Sequence, residues 1–289
     1  PRRGGALLRF DWRDAAVLRR VCGPGIFDTA SFALVPFSNR IAHGRFAAGG
    51  RDVALPPNFP GTDHPHPLHG FGWLADWTIC DTSDRQALLA FSHEAGAWPW
   101  AFDAEQHIAL DEDGLEMSLA LTNRSSAPMP YGLGFHPYFP RDEDTVYSGL
   151  HRGEWLTDSE GLPVRLDRRD AACDWWGGAP VGSRIVDTVY EEREGPLWVI
   201  WPSRGIALRI DASANLAHTV VYTPAGADFF CAEPVSHRTD AFNRREGDPP
   251  VEMLEPGATA RATIRLGPQR LAAGPDERIA VQPPAAVGT

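Results

Sequence analysis

Turn-forming residues interrupt this chain every few positions, and that spacing limits what it can fold into. The 289 residues include 28 glycines and 26 prolines. No window between potential caps keeps the i, i+3, i+4, i+7 apolar spacing of a helix. The segments between the turns are short and rich in alternating apolar residues, as strands with one buried face are. The sequence therefore predicts an all-β protein, built as a sandwich or a barrel.

The clearest predicted hairpin runs from Ala101 to Asn123 around the turn at 111–114. Apolar side chains alternate on both sides of that turn, at Ile108, Leu110, Leu115, Met117, Leu119 and Leu121. A second hairpin pairs 77–80 with 86–93, and further strands are predicted at 197–201, 206–210, 219–223, 228–233 and 259–266. We expect one domain over 1–270 and a loosely ordered tail, rich in Ala, Pro and Gly, over 271–289.

Charge and composition exclude several kinds of partner. The net charge of −11 argues against nucleic acid and against an anionic membrane surface. No apolar run reaches membrane-spanning length. The four cysteines form no CxxC pair, which is typical of reduced thiols. We therefore expect a cytoplasmic protein, monomeric or homodimeric, that acts on a small molecule.

A histidine lies on an otherwise open strand face. In the segment 132–139, Gly132, Gly134, His136 and Tyr138 alternate onto one face, and the other face carries apolar residues. Two glycines leave room for a ligand beside the imidazole and the phenol. Pro137 favours an extended His136. The alternative is a structural histidine whose side chain only makes hydrogen bonds within the sheet.

A glutamate follows two apolar side chains on a second strand face. Phe229, Cys231 and Glu233 alternate onto one face, and Pro234 favours an extended residue before it. Partial desolvation there would raise the pKa of the carboxyl group towards that of a working base. The alternative is a glutamate at a strand end that is solvated by water.

Other segments supply polar groups suited to sugar hydroxyls. Asn39 and Arg40 are fork-like donors, and Asp187 interrupts an apolar strand. The positions Asp63, His64, His66 and His69 resemble a metal cluster in spacing. The prolines between them, however, provide no helix or hairpin to set ligand geometry. We predict no metal site.

Four segments, taken in order, resemble the galactose mutarotase (aldose 1-epimerase) family, and more closely its bacterial YphB-like branch. They are LVPFSNRI at 34–41, LHGFGWL at 68–74, GFHPYFP at 134–140 and FFCAEP at 229–234. The resemblance implies a large antiparallel β-sandwich, the family's supersandwich, with a cleft across one sheet.

The same resemblance implies residue roles and no cofactor. His136 matches the family's general acid and Glu233 its general base, while Arg40 and His69 match its sugar contacts. Asp187 also matches, although residues 191–195 depart from the glycine- and tryptophan-bearing stretch expected there. We expect Asn39 and Tyr138 to join the binding residues. The aromatic side chains of Phe71, Trp73, Trp77 and Tyr138 could stack on the apolar face of a sugar.

The predicted activity is interconversion of the α and β anomers of a free aldose. We expect a bell-shaped pH profile, with the acidic limb assigned to the carboxylate and the basic limb to the imidazole. One alternative is a hexose-6-phosphate 1-epimerase, with Arg40, Arg238, Arg244 and Arg245 as candidate cations. Others are a non-catalytic sugar-binding protein, and a lyase or metal-dependent isomerase, which chelator sensitivity would distinguish.

Overall fold

The computed structural model describes residues 2–168, 175–243 and 248–271. Within these ranges the regular structure consists of strands and short 3₁₀ turns, without an α-helix. The strands are β1 (Phe10–Trp12), β2 (Ala15–Leu18), β3 (Ser31–Leu34), β4 (Arg45–Ala48), β5 (Arg51–Ala54), β6 (Thr78–Thr82), β7 (Gln86–His93), β8 (Phe102–Asp111), β9 (Gly114–Asn123), β10 (Met129–Pro130), β11 (Gly134–Pro140), β12 (Val146–Leu150), β13 (Gly153–Thr157), β14 (Pro163–Asp167), β15 (Ala179–Pro180), β16 (Asp187–Glu191), β17 (Glu194–Trp201), β18 (Ile206–Ala212), β19 (His218–Tyr222), β20 (Phe229–Val235), β21 (Met253–Leu254) and β22 (Thr259–Arg270). The 3₁₀ turns are Ile26–Asp28, Ala42–Gly44, Gly72–Leu74, Val181–Ser183 and Pro202–Arg204.

Two large antiparallel sheets form the body of the protein. One has seven strands in the order β14-β13-β16-β19-β20-β11-β3, and the other has nine in the order β15-β12-β17-β18-β22-β9-β8-β7-β6. The predicted all-β class and antiparallel sandwich are thereby confirmed. Both predicted hairpins form, as β6–β7 and β8–β9, and each of the five further predicted segments contains a strand.

The two sheets share one apolar core. Side chains from the seven-stranded sheet, such as Phe135, Phe139 and Phe230, pack in the same cluster as Leu119 and Leu208 of the nine-stranded sheet. A second, smaller cluster lies on the opposite face of the seven-stranded sheet and includes Tyr138, Cys231 and Val235. Because side chains alternate along a strand, one face of β11 and β20 packs into the shared core, and the other face packs in the smaller cluster.

Three further sequence predictions concern the C-terminal tail, the cysteines and membrane-spanning segments. The predicted tail, apart from Leu271, lies outside the described residues. The described cysteines, Cys22, Cys80 and Cys231, are free thiols, as predicted. In the described part of the chain, no helix is long and apolar enough to cross a membrane.

The β8–β9 hairpin allows a matched test of the shared core. Leu119 is fully buried, whereas Leu110 on the partner strand is 41% exposed. We expect Leu119→Ala to lower the free energy of unfolding by about 2–5 kcal/mol, since it removes buried methyl groups and leaves a cavity. Leu110→Ala should change it by roughly 0.5 kcal/mol or less. Urea unfolding measures both, and equal losses would contradict the assignment of the core.

Candidate functional site

A cavity of about 540 Å³ opens on the face of the seven-stranded sheet that points away from the shared core. Volumes of this size are typical of small-molecule sites. All seven side chains that the sequence proposed line it, and they are Asn39, Arg40, His69, His136, Tyr138, Asp187 and Glu233. Residues far apart in the chain thus meet at one place.

The pairing of β11 with β20 sets the two proposed catalytic side chains opposite each other. Gly134 pairs with Val235 and Tyr138 with Cys231, so His136 and Glu233 occupy facing positions between those pairs. Facing side chains on neighbouring antiparallel strands lie close together. Here His136 Nε2 is 3.3 Å from Glu233 Oε1. The two groups are within reach of direct proton transfer.

Burial controls the protonation of this pair. His136 is 6% exposed and Glu233 is 2% exposed. Burial lowers the pKa of His136 to about 3, and the nearby Arg19 guanidinium acts in the same direction. Burial also raises the pKa of Glu233 well above its usual range, with a further contribution from the Asp187 carboxylate. Each group is therefore shifted towards its neutral form.

These shifts reverse the order of pKa values on which the pH limbs expected from the sequence were based. The carboxyl group now has the higher pKa and the imidazole the lower one. In an acid–base reaction at this pair, that order would assign the acidic limb to His136 and the basic limb to Glu233, as apparent values of a coupled pair. These directions oppose the assignment made from the sequence, which used the ordinary order of the two pKa values; which group governs each limb stays a prediction for the pH profile.

Aromatic rings fix the plane of the His136 imidazole. The Phe32 ring centroid lies 4.5 Å from it and the Tyr138 centroid 4.7 Å, with Tyr138 nearly parallel. The His69 ring meets its edge at 5.2 Å. Nδ1 of His136 and Oε2 of Glu233 are buried without a hydrogen-bond partner among the described residues. A bound polar ligand could satisfy the carboxylate oxygen, which belongs to a cavity-lining side chain.

Arg40 and Asp187 form an ion pair on the wall of the cavity. Arg40 Nη2 donates to Asp187 Oδ2 at 2.9 Å. Asn39 Oδ1 accepts hydrogen bonds from the Arg40 amide at 2.8 Å and from Nη1 at 3.2 Å. The pair has one carboxylate and several fixed donors, a combination suited to hydroxyl groups that both donate and accept.

His69 is held by an unusual backbone conformation. Both Asn39 and His69 have positive φ angles, 55° and 58°. The Asn39 amide donates to His69 Nδ1 at 3.1 Å, so Nε2 carries the ring proton and is free to act as a donor. A Cβ on the following Gly70 would lie 2.2 Å from the Val35 carbonyl oxygen, so that position needs glycine. Such strained backbone is common at functional sites.

The histidine-rich loop does not gather its side chains into a metal site among the described residues. His66 is buried and its Nε2 faces Glu160 Oε2 at 3.2 Å. Possible ligand atoms do converge elsewhere, on the paired strands β11 and β20, where those of His136, Cys231 and Glu233 all lie within 4.8 Å of one another. Nitrogen, sulfur and oxygen donors of this kind bind zinc. The expected absence of a functional metal stays a prediction.

The structure corrects two other predicted groups. The rings of Phe71, Trp73 and Trp77 pack in the apolar clusters and do not line the cavity, whereas Tyr138 does. Arg238, proposed as a cation for a phosphate, is instead buried against Asp248. Arg244 and Arg245 lie outside the described residues.

Several cavity residues were missed from the sequence. They are Arg19, Phe27, Asp28, Phe59, His64 and Tyr222. Tyr222 lies in a predicted strand and pairs with Cys231. Knowledge of that strand pairing would have placed its side chain on the cavity face of the sheet. No local pattern marked Arg19, Phe27, Asp28 or Phe59, and His64 was noted only for its spacing with neighbouring histidines.

Comparison with known proteins agrees with this arrangement. The sequence profile of the aldose 1-epimerase family matches residues 1–267. The uncharacterized protein YphB of Escherichia coli K12 is 31% identical over 276 residues, covering 91% of this chain and 92% of YphB. The aldose 1-epimerase of Escherichia coli K12 is 30% identical over 135 residues, 44% of this chain and 37% of that protein.

Solved structures share the fold. An Escherichia coli K12 protein assigned provisionally as an aldose 1-epimerase superposes with a TM-score of 0.84 at 30% identity, over 93% of this chain and 94% of the other. A galactose mutarotase-like protein of Clostridium acetobutylicum gives a TM-score of 0.83 at 18% identity, over 94% and 91%. With a family profile matched over nearly the whole described chain, this protein belongs to the aldose 1-epimerase family.

Proposed function

We propose that this protein is an aldose 1-epimerase that interconverts the α and β anomers of an aldose by acid–base ring opening and reclosure. The observation that carries the proposal is the buried pair on the floor of the cavity, with His136 Nε2 3.3 Å from Glu233 Oε1. Membership of the family supports it.

The reaction needs one proton acceptor and one proton donor at the same time. Glu233 removes the proton of the C1 hydroxyl while His136 protonates the ring oxygen, so that the bond between C1 and the ring oxygen breaks and a carbonyl forms at C1. Rotation about the C1–C2 bond presents the other carbonyl face. Reclosure then reverses the two roles and restores both protons.

The pair can provide one proton donor and one proton acceptor when His136 and Glu233 share a single proton between them. The pKa directions favour a protonated carboxyl beside a neutral imidazole. Transfer of the proton across the short Nε2–Oε1 gap gives the carboxylate and imidazolium that ring opening requires. Hydrogen bonds from sugar hydroxyls to Glu233 would favour this charged form.

The remaining wall residues position the sugar. The Arg40–Asp187 pair and the free Nε2–H of His69 offer both donors and acceptors around the ring. Tyr222 and Phe229 add aromatic surface to the cavity. Holding the ring oxygen and C1 hydroxyl against two fixed groups converts proton transfer into an intramolecular step. A protein that only bound sugar would not require two complementary proton carriers in contact.

The direct test is an anomer-exchange measurement by NMR over free hexoses, pentoses, deoxy sugars and their charged derivatives. We expect the exchange rate of at least one sugar to rise in proportion to protein concentration. If the whole panel shows only spontaneous rates while binding is still detected, the sugar-binding alternative is correct instead.

Replacing either member of the pair should remove most of the activity. We expect Glu233→Gln and His136→Asn each to lower kcat by roughly 10²–10⁴-fold. The double variant should lose much less than the product, because neither group works well alone. Circular dichroism checks folding, and Glu105→Gln, an exposed glutamate on β8, serves as the control that keeps full activity. A folded Glu233→Gln protein with near-normal kcat would place the base elsewhere.

The pH profile separates the two pKa assignments. Activity needs the one-proton form, which exists above the lowered pKa of His136 and below the raised pKa of Glu233. We therefore expect kcat/KM to stay high through neutral pH and to fall at high pH as Glu233 loses its proton. Residual activity of Glu233→Gln, corrected for spontaneous exchange, should lack that basic limb. Loss of the acidic limb instead would restore the assignment made from the sequence.

A further inference from the structure

Arg19 brings a positive charge to the cavity from a segment outside the four family-like motifs. It follows β2, and its amide donates to the Tyr138 carbonyl at 2.8 Å, which fixes its backbone against β11. The guanidinium carbon lies 4.0 Å from the Tyr138 ring centroid and 4.4 Å from that of Phe229. Stacking on two rings holds the planar group in place.

This guanidinium has no acidic partner among the described residues. Its Nη2 donates to the main-chain carbonyls of Phe27 and Thr29, and its Nε is buried without a partner. By contrast, Arg40 is paired with Asp187, and Arg238 with Asp248. A partly desolvated cation without a counter-ion is costly, and an anion from a ligand would offset that cost.

Asp28, also on the cavity wall, does not supply the missing charge. Its Oδ2 accepts a hydrogen bond from the Gly25 amide at 2.8 Å, and its Oδ1 faces the Cys22 thiol. The carboxylate is thus engaged within its own turn and forms no ion pair with Arg19 in the described structure. The positive charge of Arg19 remains available to a ligand.

The position of Arg19 indicates which part of a sugar it would meet. Phe32, His136, Tyr138 and Arg19 form a continuous stack, with the acid–base histidine separated from Arg19 by one ring. In an aldopyranose the carbon that bears the exocyclic group is bonded to the ring oxygen, the atom served by His136. With His136 serving the ring oxygen as proposed, the exocyclic carbon lies on the His136 side of the sugar, the side on which Arg19 stacks beyond Tyr138.

We propose that Arg19 forms an oxyanion subsite and that the preferred substrate is an aldose with a carboxylate, phosphate or sulfonate on its exocyclic carbon. The N–H groups of Arg19 Nη1, which make no hydrogen bond among the described residues, are the donors left for such a group, and the guanidinium adds its positive charge. This inference rests on the proposed epimerase function, since it names the substrate class of the same site.

The experiment compares matched sugars and matched variants. Anomer exchange is measured for glucose, glucuronate, glucose 6-phosphate and 6-deoxy-6-sulfoglucose, and for the galacto-configured set. We expect kcat/KM for at least one anionic sugar to exceed that of its neutral parent by about 10- to 100-fold, the range for a charged hydrogen bond. Arg19→Gln should bring that ratio close to one, and Arg19→Lys should restore part of it.

The neighbouring Arg20 provides the control, because it is exposed and pairs with Asp11. Arg20→Gln should leave the anionic-to-neutral ratio unchanged. The anionic-to-neutral ratio of the unchanged protein is itself a readout that stands even if Arg19 variants fail to fold. A wild-type ratio near one, or a high ratio that survives Arg19→Gln, would overturn the subsite.

Calorimetry distinguishes failure of the subsite from failure of the proposed function. If no sugar is turned over but an anionic sugar binds more tightly than its neutral parent, and Arg19→Gln removes that preference, the subsite holds and the epimerase function is wrong. If neutral sugars are turned over with no anionic preference, the function holds and the subsite is wrong. Absence of both turnover and anion-dependent binding rejects both.

Discussion

The antiparallel register of β11 and β20 is the constraint on which the site depends. Because Gly134 faces Val235 and Tyr138 faces Cys231, His136 and Glu233 must face each other. A shift of one residue would send either side chain into the shared core, since successive residues point to opposite faces. The large apolar face of the sheet opposes such a shift, and the sandwich core thereby maintains the geometry of a polar site on the other side.

The same burial that orients the pair also sets its chemistry. In water a carboxyl group is a stronger acid than an imidazolium, and a pair of this kind would be ionised. Here both groups are removed from solvent, and each shifts towards neutrality. The order of the two one-proton tautomers is thereby inverted: the neutral pair is favoured, and hydrogen bonds to the carboxylate from a ligand would favour the charged pair. Reversible proton exchange in both directions is what an epimerisation needs.

Much of the fold was predictable because alternation and turns are local properties. The hairpin at 101–123 and the strand at 228–233 needed only neighbouring residues, and the faces of His136 and Glu233 followed from the two-residue period. The contributions of Arg19, Phe27 and Phe59 could not be found this way, because they depend on how separate segments pack. The tryptophans near the LHGFGWL motif were misassigned for the same reason: sequence shows an aromatic residue and not which side of a sheet it covers.

The stacked rings around His136 also have an entropic consequence. An imidazole on a flexible loop would lose rotational freedom each time it engaged a substrate. Between Phe32 and Tyr138 the ring is confined before any ligand arrives, and its ordering is completed once, when the chain folds. The reorganisation energy of the proposed proton transfer should be correspondingly small. The aromatic stack is therefore a device for pre-organisation, in which the hydrophobic effect that drives folding also immobilises the side chain proposed to carry the proton.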